Sequence, residues 1–306
     1  MYPDRYLDRH DPTGLPARAG GRRLVAYGRD RDTAPVDEAV SGRQVAANVG
    51  CATSDRRRGG DREVSDWDQF GADYDFPDFD GQPNTYVIAS TPRSGSHYFG
   101  HLLRKTGALG SPLEYFHPGH VETWKQKLGV STLEGLIACL FRRRTSPNGW
   151  FGAKAHWSQF EPLLQNERAF QAINFSRYIH IIRRDRLAQA ISLVVARQTA
   201  SWISFHAVRR TPEYDFGAIQ TALSEIDAQS DQWEGFFSSR RIDPMIVEYE
   251  ALLADPEEAV TGVLAYVGHH GPATGAASSL EPQRQSSGIN VEWKERYLAD
   301  LNSTAC

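Results

Sequence analysis

Arg93-Ser94-Gly95-Ser96 stands between an apolar run and a stretch of helical periodicity. Thr85-Tyr86-Val87-Ile88-Ala89-Ser90 reads as a buried strand, and Phe99, Leu102 and Leu103 share one face of the helix that follows, with Gly107 at its end. Ligands of parallel sheets sit at the carboxyl ends of strands, where helix N-termini direct unpaired N–H groups and partial positive charge outward. Ser94, Gly95 and Ser96 therefore occupy the place of a phosphate cradle. Gly95 lets the backbone approach closely, the hydroxyls add donors, and Arg93 supplies a permanent charge with a planar fork of donors. The loop lacks G-x-x-x-x-G-K-[ST]: it has one glycine, and its cation precedes that glycine. That pattern counts against an ATPase or kinase loop. In isolation, an ordinary serine-rich strand-to-helix turn accounts for the same residues.

A second unit of this kind follows. Tyr178-Ile179-His180-Ile181-Ile182 reads as a strand, Arg183-Arg184-Asp185 as its tip, and a helix runs on through Ala188, Ile191 and Val195. Arg184 and the helix hydroxyl of Ser192 together suit a second phosphate, held by charge-assisted hydrogen bonds. Two anion sites on neighbouring strands fit a nucleotide with phosphates at both ends. The plain alternative pairs Arg184 with Asp185 or another surface acid and leaves Ser192 facing solvent.

Thr91-Pro92-Arg93-Ser94-Gly95-Ser96 resembles the 5′-phosphosulfate loop of sulfotransferases that use 3′-phosphoadenosine 5′-phosphosulfate (PAPS), and Arg184 through Ser192 resembles their 3′-phosphate motif. The pattern is similar above all to the bacterial trehalose 2-sulfotransferase family. Its R-S-G-S loop, the T-G that ends the next helix and a G-x-P-x-E-[FY]-F element read here as Arg93-Ser94-Gly95-Ser96, Thr106-Gly107 and Gly110-Ser111-Pro112-Leu113-Glu114-Tyr115-Phe116. Thr145-Ser146-Pro147-Asn148-Gly149 leading to Gly152-Ala153-Lys154, then Gln189-Ala190-Ile191-Ser192, continue the series. Arg284-Gln285, Glu292-Trp293 and Glu295-Arg296-Tyr297 close it. The ordered set covers roughly residues 84 to 300 and is far more specific than the loop alone.

The resemblance implies a P-loop-like sulfotransferase fold, PAPS as co-substrate, no metal, and a carbohydrate, glycolipid or other glycosylated acceptor, with a homodimer as the assembly. Glu114 matches the family's general base. Arg93 would stabilise the departing phosphate; Ser94, Gly95 and Ser96 would hold the 5′-phosphate region; Arg184 and Ser192 would hold the 3′-phosphate, together with Arg284. Such a transfer needs in-line geometry, charge stabilisation on the leaving group and a base for the attacking hydroxyl. Two departures bear on the acceptor. Ser111 stands where trehalose-directed members carry an acid, and His117-Pro118-Gly119-His120 has no counterpart in the pattern.

Other residues invite weaker readings. His97 and His101 stand i, i+4 on one helix with His117 and His120 close behind, but no H-E-x-x-H and no third ligand accompanies them, so no metal site is assigned. Arg142-Arg143-Arg144 reads as a solvated loop, and Lys154 on its strand as a site residue or a structural one. Trp233, Phe236 and Phe237 have the spacing of core residues rather than of a sugar platform.

The elements that carry these residues alternate. Met245-Ile246-Val247-Glu248-Tyr249 is a further strand; Asp255-Pro256-Glu257-Glu258 opens a helix through Val260, Val263, Leu264 and Val267; Phe216, Ile219, Leu223 and Ile226 mark another. Alternation of this kind predicts an α/β domain with a mainly parallel sheet flanked by helices on both faces. Residues 83–306 form that domain. Residues 1–82, rich in Asp, Arg and Gly, lack sustained periodicity and are expected to be a disordered extension. With 40% hydrophobic residues in 306, a core is expected, a net charge of −4 disfavours a protein that coats nucleic acid or an anionic membrane, and no apolar run near 18 residues suggests a membrane span. The three cysteines, Cys51, Cys139 and Cys306, fit no metal or disulfide spacing and point to the cytoplasm. Two other functions stay open from the residues: a nucleotide-dependent kinase, which needs a loop lysine and a magnesium-binding acid, and a non-catalytic nucleotide-binding module, which has no use for Glu114.

Overall fold

The computed structural model describes residues 68–202, 211–269 and 288–304. β1 (Asn84–Ser90) leads into α1 (Ser96–Lys105), followed by α2 (Pro118–Leu128) and α3 (Leu133–Arg144). β2 (Trp150–His156) is followed by α4 (Trp157–Gln165) and α5 (Glu167–Ile173). β3 (Arg177–Ile182) then gives way to α6 (Arg186–Thr199) and α7 (Phe216–Arg240). β4 (Met245–Glu248), α8 (Tyr249–Ala254), α9 (Pro256–Tyr266) and α10 (Gly288–Thr304) complete the order.

The four strands are all parallel, in the order β2-β1-β3-β4. β1 is apolar on both faces because both are covered. Val87 and Ala89 pack with Phe151, Trp124 and Trp233, whereas Tyr86 and Ile88 pack with Phe99, Leu103 and Val263. The register sets Ile88 opposite Lys154 and Ser90 opposite His156, so both polar residues of β2 emerge near the carboxyl end of the sheet.

α7 is one helix of 25 residues, which unites the Phe216–Ile226 pattern with the aromatics beyond it. Trp233 is fully buried, as its spacing predicts, and its indole N–H donates to Ser90 O at 3.0 Å. β4 stops at Glu248, and Tyr249 opens α8 instead of ending the strand. Asp255 caps α9 through the Glu258 N–H at 2.9 Å. Trp293 and Tyr297 of α10 are buried in a third apolar cluster with Ile191, Ile219 and Ile226 of α6 and α7.

The expected boundary at residue 82 is corrected. Residues 68–82 pack on the domain, with Tyr74 buried and a short 3-10 helix at Ala72–Tyr74. The arginine run is corrected with it: it ends α3 rather than forming a solvated loop. Arg143 and Arg144 both bind Asp75, at 2.6 and 2.8 Å, and Arg142 binds Asp78 at 2.9 Å. Phe76 and Phe79 donate their N–H groups to Arg143 O and Arg142 O. Charge complementarity with a distant helix holds this strap, so local apolar periodicity carried no sign of it. Residues 1–67 of the expected extension lie outside the described residues, as does Arg284.

Candidate active site

The loop after β1 leads into the N-terminus of α1. Gly95 sits at φ +88° at the head of α1, and no side chain caps that helix. α6, α7 and α9 are each capped by an aspartate, Asp185, Asp215 and Asp255. The free amides at the head of α1 are thus left for a ligand. Ser94 is fully buried, and its Oγ has no hydrogen-bond partner among the described residues. A buried hydroxyl without a partner is costly, and a ligand oxygen would supply one. Only glycine fits at 95: a Cβ there would stand 2.3 Å from Cδ2 of the Tyr249 ring.

Two guanidinium groups flank the loop. Arg93 itself has φ +62° and donates from Nε to Ser192 Oγ at 2.9 Å. Arg183 lies 4.7 Å over the Tyr249 ring and donates to Arg93 O at 3.2 Å. Burial, and then the neighbouring charge of Arg183, pull the Arg93 pKa down to about 10. Both effects penalise its positive charge in the absence of an anion. Gln189 braces the same loop from α6, its amide donating to Thr91 Oγ1 at 2.8 Å and Pro92 O at 2.7 Å.

Ser192 therefore joins Arg93 in this arrangement, and Arg184 does not join Ser192. Arg184 is exposed and engages Glu248 through Nε, at 2.9 Å, and through Nη2. Glu250 accepts the Arg184 and Asp185 N–H groups at 3.2 and 3.3 Å. Asp185 is committed elsewhere, to the α6 cap and to Lys294 at 2.7 Å.

The second part of the site lies between the Glu114 element and β2. Leu113 bridges Ala153 as an added parallel partner, and Lys154 N–H donates to Leu113 O at 2.9 Å. This docking sets Glu114 against Lys154, whose Nζ donates to Glu114 Oε1. Gln159 Nε2 donates to Glu114 Oε2 at 2.9 Å, and His156 Nε2 stands 3.7 Å from Oε1. Burial by itself would raise the Glu114 pKa. The charges of Lys154 and His156, with the hydrogen bonds from Lys154 and Gln159, outweigh it and hold the carboxyl well below the usual carboxylate range. His156 is pulled down to about 4, mainly by burial, and binds Ser90 Oγ through Nδ1 at 3.0 Å. His97 of α1 is likewise lowered by burial first and then by Lys154.

Ser111 faces away from this centre. It is fully buried and donates to Tyr74 O of the strap at 2.7 Å. His117 and His120 stack 4.3 Å apart at the start of α2. Burial is the first cause that lowers the His120 pKa.

The sequence points to Arg93, Ser94, Gly95, Ser96, Arg184, Ser192, Arg284 and Glu114, and reads Lys154 as a site residue or a structural one. It missed Arg183, because the spacing to Ser192 favoured its neighbour, although two adjacent arginines at a strand tip left both open. It also missed His156, whose place two residues beyond Lys154 on β2 puts it on the same face. Gln159 and Tyr249 gave no sequence signal; only the packing of α4 and α8 brings them in.

Residues 85–300 match the Stf0 sulphotransferase family. The chain is 28% identical over 255 residues to trehalose 2-sulfotransferase of Mycobacterium tuberculosis, across 70% of this chain and 94% of that one. It is 28% identical over 217 residues to nodulation protein H of Rhizobium tropici, across 67% of this chain and 83% of that one. The sulfotransferase domain of the Synechococcus PCC 7002 olefin synthase is a similar solved structure, at 18% identity and a TM-score of 0.42, covering 70% of this chain and 88% of that one. With a family match over most of its length, the chain belongs to the Stf0 sulphotransferases.

Proposed function

We propose that this sulfotransferase uses PAPS as its donor and delivers the sulfuryl group to a hydroxyl of a sugar or glycosylated acceptor, with Glu114 as the base. The observation that carries the donor reading is the buried, unpartnered Ser94 hydroxyl at the uncapped N-terminus of α1. PAPS supplies the sulfuryl group when bound. The amides of α1, with Ser94 and Ser96, hold the 5′-phosphate region, and Arg93 offsets the negative charge that grows on the leaving side. Ser192 and Arg184 hold the 3′-phosphate, for which Arg184 exchanges its Glu248 partner; Arg284 is the third candidate for that group.

Glu114 accepts the proton of the attacking hydroxyl as the new oxygen–sulfur bond forms and the bond to the leaving phosphate breaks. Its depressed pKa makes it a weak base for an unactivated alcohol, so it acts late, when the hydroxyl proton has become acidic. Lys154 keeps the carboxylate ionised and ready, and Gln159 fixes its second oxygen. The acceptor class follows that of the similar trehalose 2-sulfotransferase. A cytoplasmic location, from the sparse cysteines, and a homodimer, from the resemblance, belong to the same proposal. Among the described residues no helix is long and apolar enough to cross a membrane.

The test is thermal stabilisation by adenosine 3′,5′-bisphosphate beside ADP, AMP and ATP with magnesium. At 100 times its dissociation constant, a ligand stabilises by about 2.7 kcal/mol. The expected result is a shift with the bisphosphate alone, diminished in Arg184→Ala. A shift with ATP and magnesium but none with the bisphosphate would replace the donor reading with the kinase class.

A further inference from the structure

The strap at residues 68–82 lies before the segment that matches the family, yet its contacts lead to the element that carries Glu114. Arg144 is buried, and among the described residues Asp75 is the one acid in ion-pair range of it, at 2.8 Å. Its Nη2 also donates to Gly71 O at 3.0 Å. Without Asp75 a buried charge would stand uncompensated. This pairing fixes the last residue of α3, and the Arg144 carbonyl in turn accepts the Ser111 N–H at 3.2 Å. Gly110 permits that approach: it has φ +65°, and a Cβ there would stand 2.9 Å from Arg144 O and 2.8 Å from Trp150 O. A second link is direct, because Ser111 Oγ donates to Tyr74 O at 2.7 Å. Ser111 is thus held through its N–H by α3 and through its hydroxyl by the strap.

From Ser111 the constraint reaches Glu114 within three residues. Tyr115 Oη donates to Ser111 O, which closes residues 111–115 into a loop, and the Tyr115 ring stacks on Phe151 of β2 at 5.7 Å. Leu113 is bridged to Ala153. Glu114 stands between these two anchors, and the groups that face its carboxylate are Lys154 and His156 of β2 and Gln159 of α4. The strap meets α1 only toward that helix's C-terminal end, where Arg104 lies 4.7 Å over the Tyr74 ring and His101 stands edge-on to it at 5.9 Å. The loop at the head of α1 is braced by Gln189 and Ser192 of α6 instead. The strap therefore bears on the carboxylate rather than on the loop after β1.

We infer that Asp75 and Tyr74 of the strap are positioning residues for sulfuryl transfer: through Arg144 and Ser111 they hold residues 110–116 against β2 and keep Glu114 in contact with Lys154. The inference rests on the proposed role of Glu114 as the base.

The test follows the Glu114 carboxyl by NMR on the full chain, with glutamate labelled at its side-chain carboxyl carbon and the resonance identified by its loss in Glu114→Gln. In the wild type that carboxylate should stay ionised as far into acid as the fold persists. In Ser111→Ala and Asp75→Asn its midpoint is expected to rise toward the ordinary glutamate value of about 4.3, because Lys154 no longer faces it squarely. Asp78→Asn removes the strap's exposed pair with Arg142, which does not lead to Ser111, and should leave Glu114 as in the wild type. Asp75→Asn also strips Arg144 of its counter-charge and is the variant at risk of unfolding. Ser111→Ala leaves that ion pair whole and decides the question by itself. A lowered melting point with an unmoved Glu114 midpoint in Ser111→Ala overturns the inference, since the strap would then be packing alone. An equal rise in Asp78→Asn overturns it as well. An unmoved midpoint leaves the base reading intact, whereas full turnover in Glu114→Gln removes the base and the inference with it, so the two failures are told apart.

Discussion

Arg93 Nε donates to Ser192 Oγ at 2.9 Å, so the loop after β1 and the second turn of α6 are one unit although 99 residues separate them. In the proposed donor site this bond would couple the residues for one end of the nucleotide to the helix proposed for the other. Ser192→Ala leaves the guanidinium short of an acceptor in a buried setting, which costs about 1–3 kcal/mol. Bisphosphate affinity is expected to fall roughly ten-fold, and the melting point of the free protein to drop by a few degrees. Arg93→Lys keeps the charge without the fork and should reduce turnover more than affinity. Titration by thermal shift and steady-state rates separate the two; unaltered affinity in Ser192→Ala would mean the link is only structural.

Gly95→Ala should abolish nucleotide binding through Tyr249. The new methyl collides with a ring at 2.3 Å, and the backbone at φ +88° disfavours any side chain, a strain of about 1–3 kcal/mol. The ring has to move, and Arg183, 4.7 Å above it, moves with it. Adding Tyr249→Ala to Gly95→Ala removes the collision but keeps the backbone strain. Partial recovery of the bisphosphate shift in the double variant is the expected outcome. No recovery at all would show that φ alone, rather than the tyrosine, forbids a side chain here.

The strands and the phosphate loop were legible because they depend on local pattern. β1, β3 and β4 appear within a residue or so of their apolar runs, and the glycine and hydroxyls of the loop stand next to one another in sequence. What escaped depends on groups far apart in the chain. Asp75 looks like one acid in a polar segment until Arg143 and Arg144 arrive beside it. Gln159 gives no sign that it will bind Glu114, because α4 must first fold back over β2. Arg184 was read from its spacing to Ser192, but spacing along a chain does not reveal that Glu248 on β4 lies within reach of the same guanidinium.

Acid should destabilise the fold well before carboxylates titrate. Burial is the main cause that pulls His101, His156 and His180 to about 4 in the folded protein, whereas an unfolded histidine titrates near 6.5. Between those values the unfolded chain binds more protons, so stability falls as pH drops from about 6.5 to about 4. Each group contributes up to about 1.4 kcal/mol per pH unit across that window. Denaturant unfolding at several pH values measures the slope. His180→Gln, at a residue buried against Phe237 at 5.4 Å, should reduce the slope by close to one proton. A slope unchanged by that substitution would show that His180 titrates alike in both states.

Lys154 should set the acid limb of the reaction. In the wild-type site the lysine, together with His156 and the Gln159 hydrogen bond, outweighs burial and keeps Glu114 ionised far into acid. In Lys154→Met burial prevails, because a carboxylate with no cation beside it is driven toward its neutral form. A protonated Glu114 is too weak a base to take the hydroxyl proton, so activity should begin to fall at a higher pH than in the wild type. The rate at high pH should suffer less, since the freed carboxylate is a stronger base. Glu114→Gln, in either background, should lower turnover by roughly 10²–10⁴-fold and erase the difference between the two profiles. The measurement is kcat/KM for sulfuryl transfer against pH in the four proteins. Superimposable profiles for wild type and Lys154→Met would remove Glu114 as the base and leave His156, 3.7 Å from the same carboxylate oxygen, as the next residue to substitute.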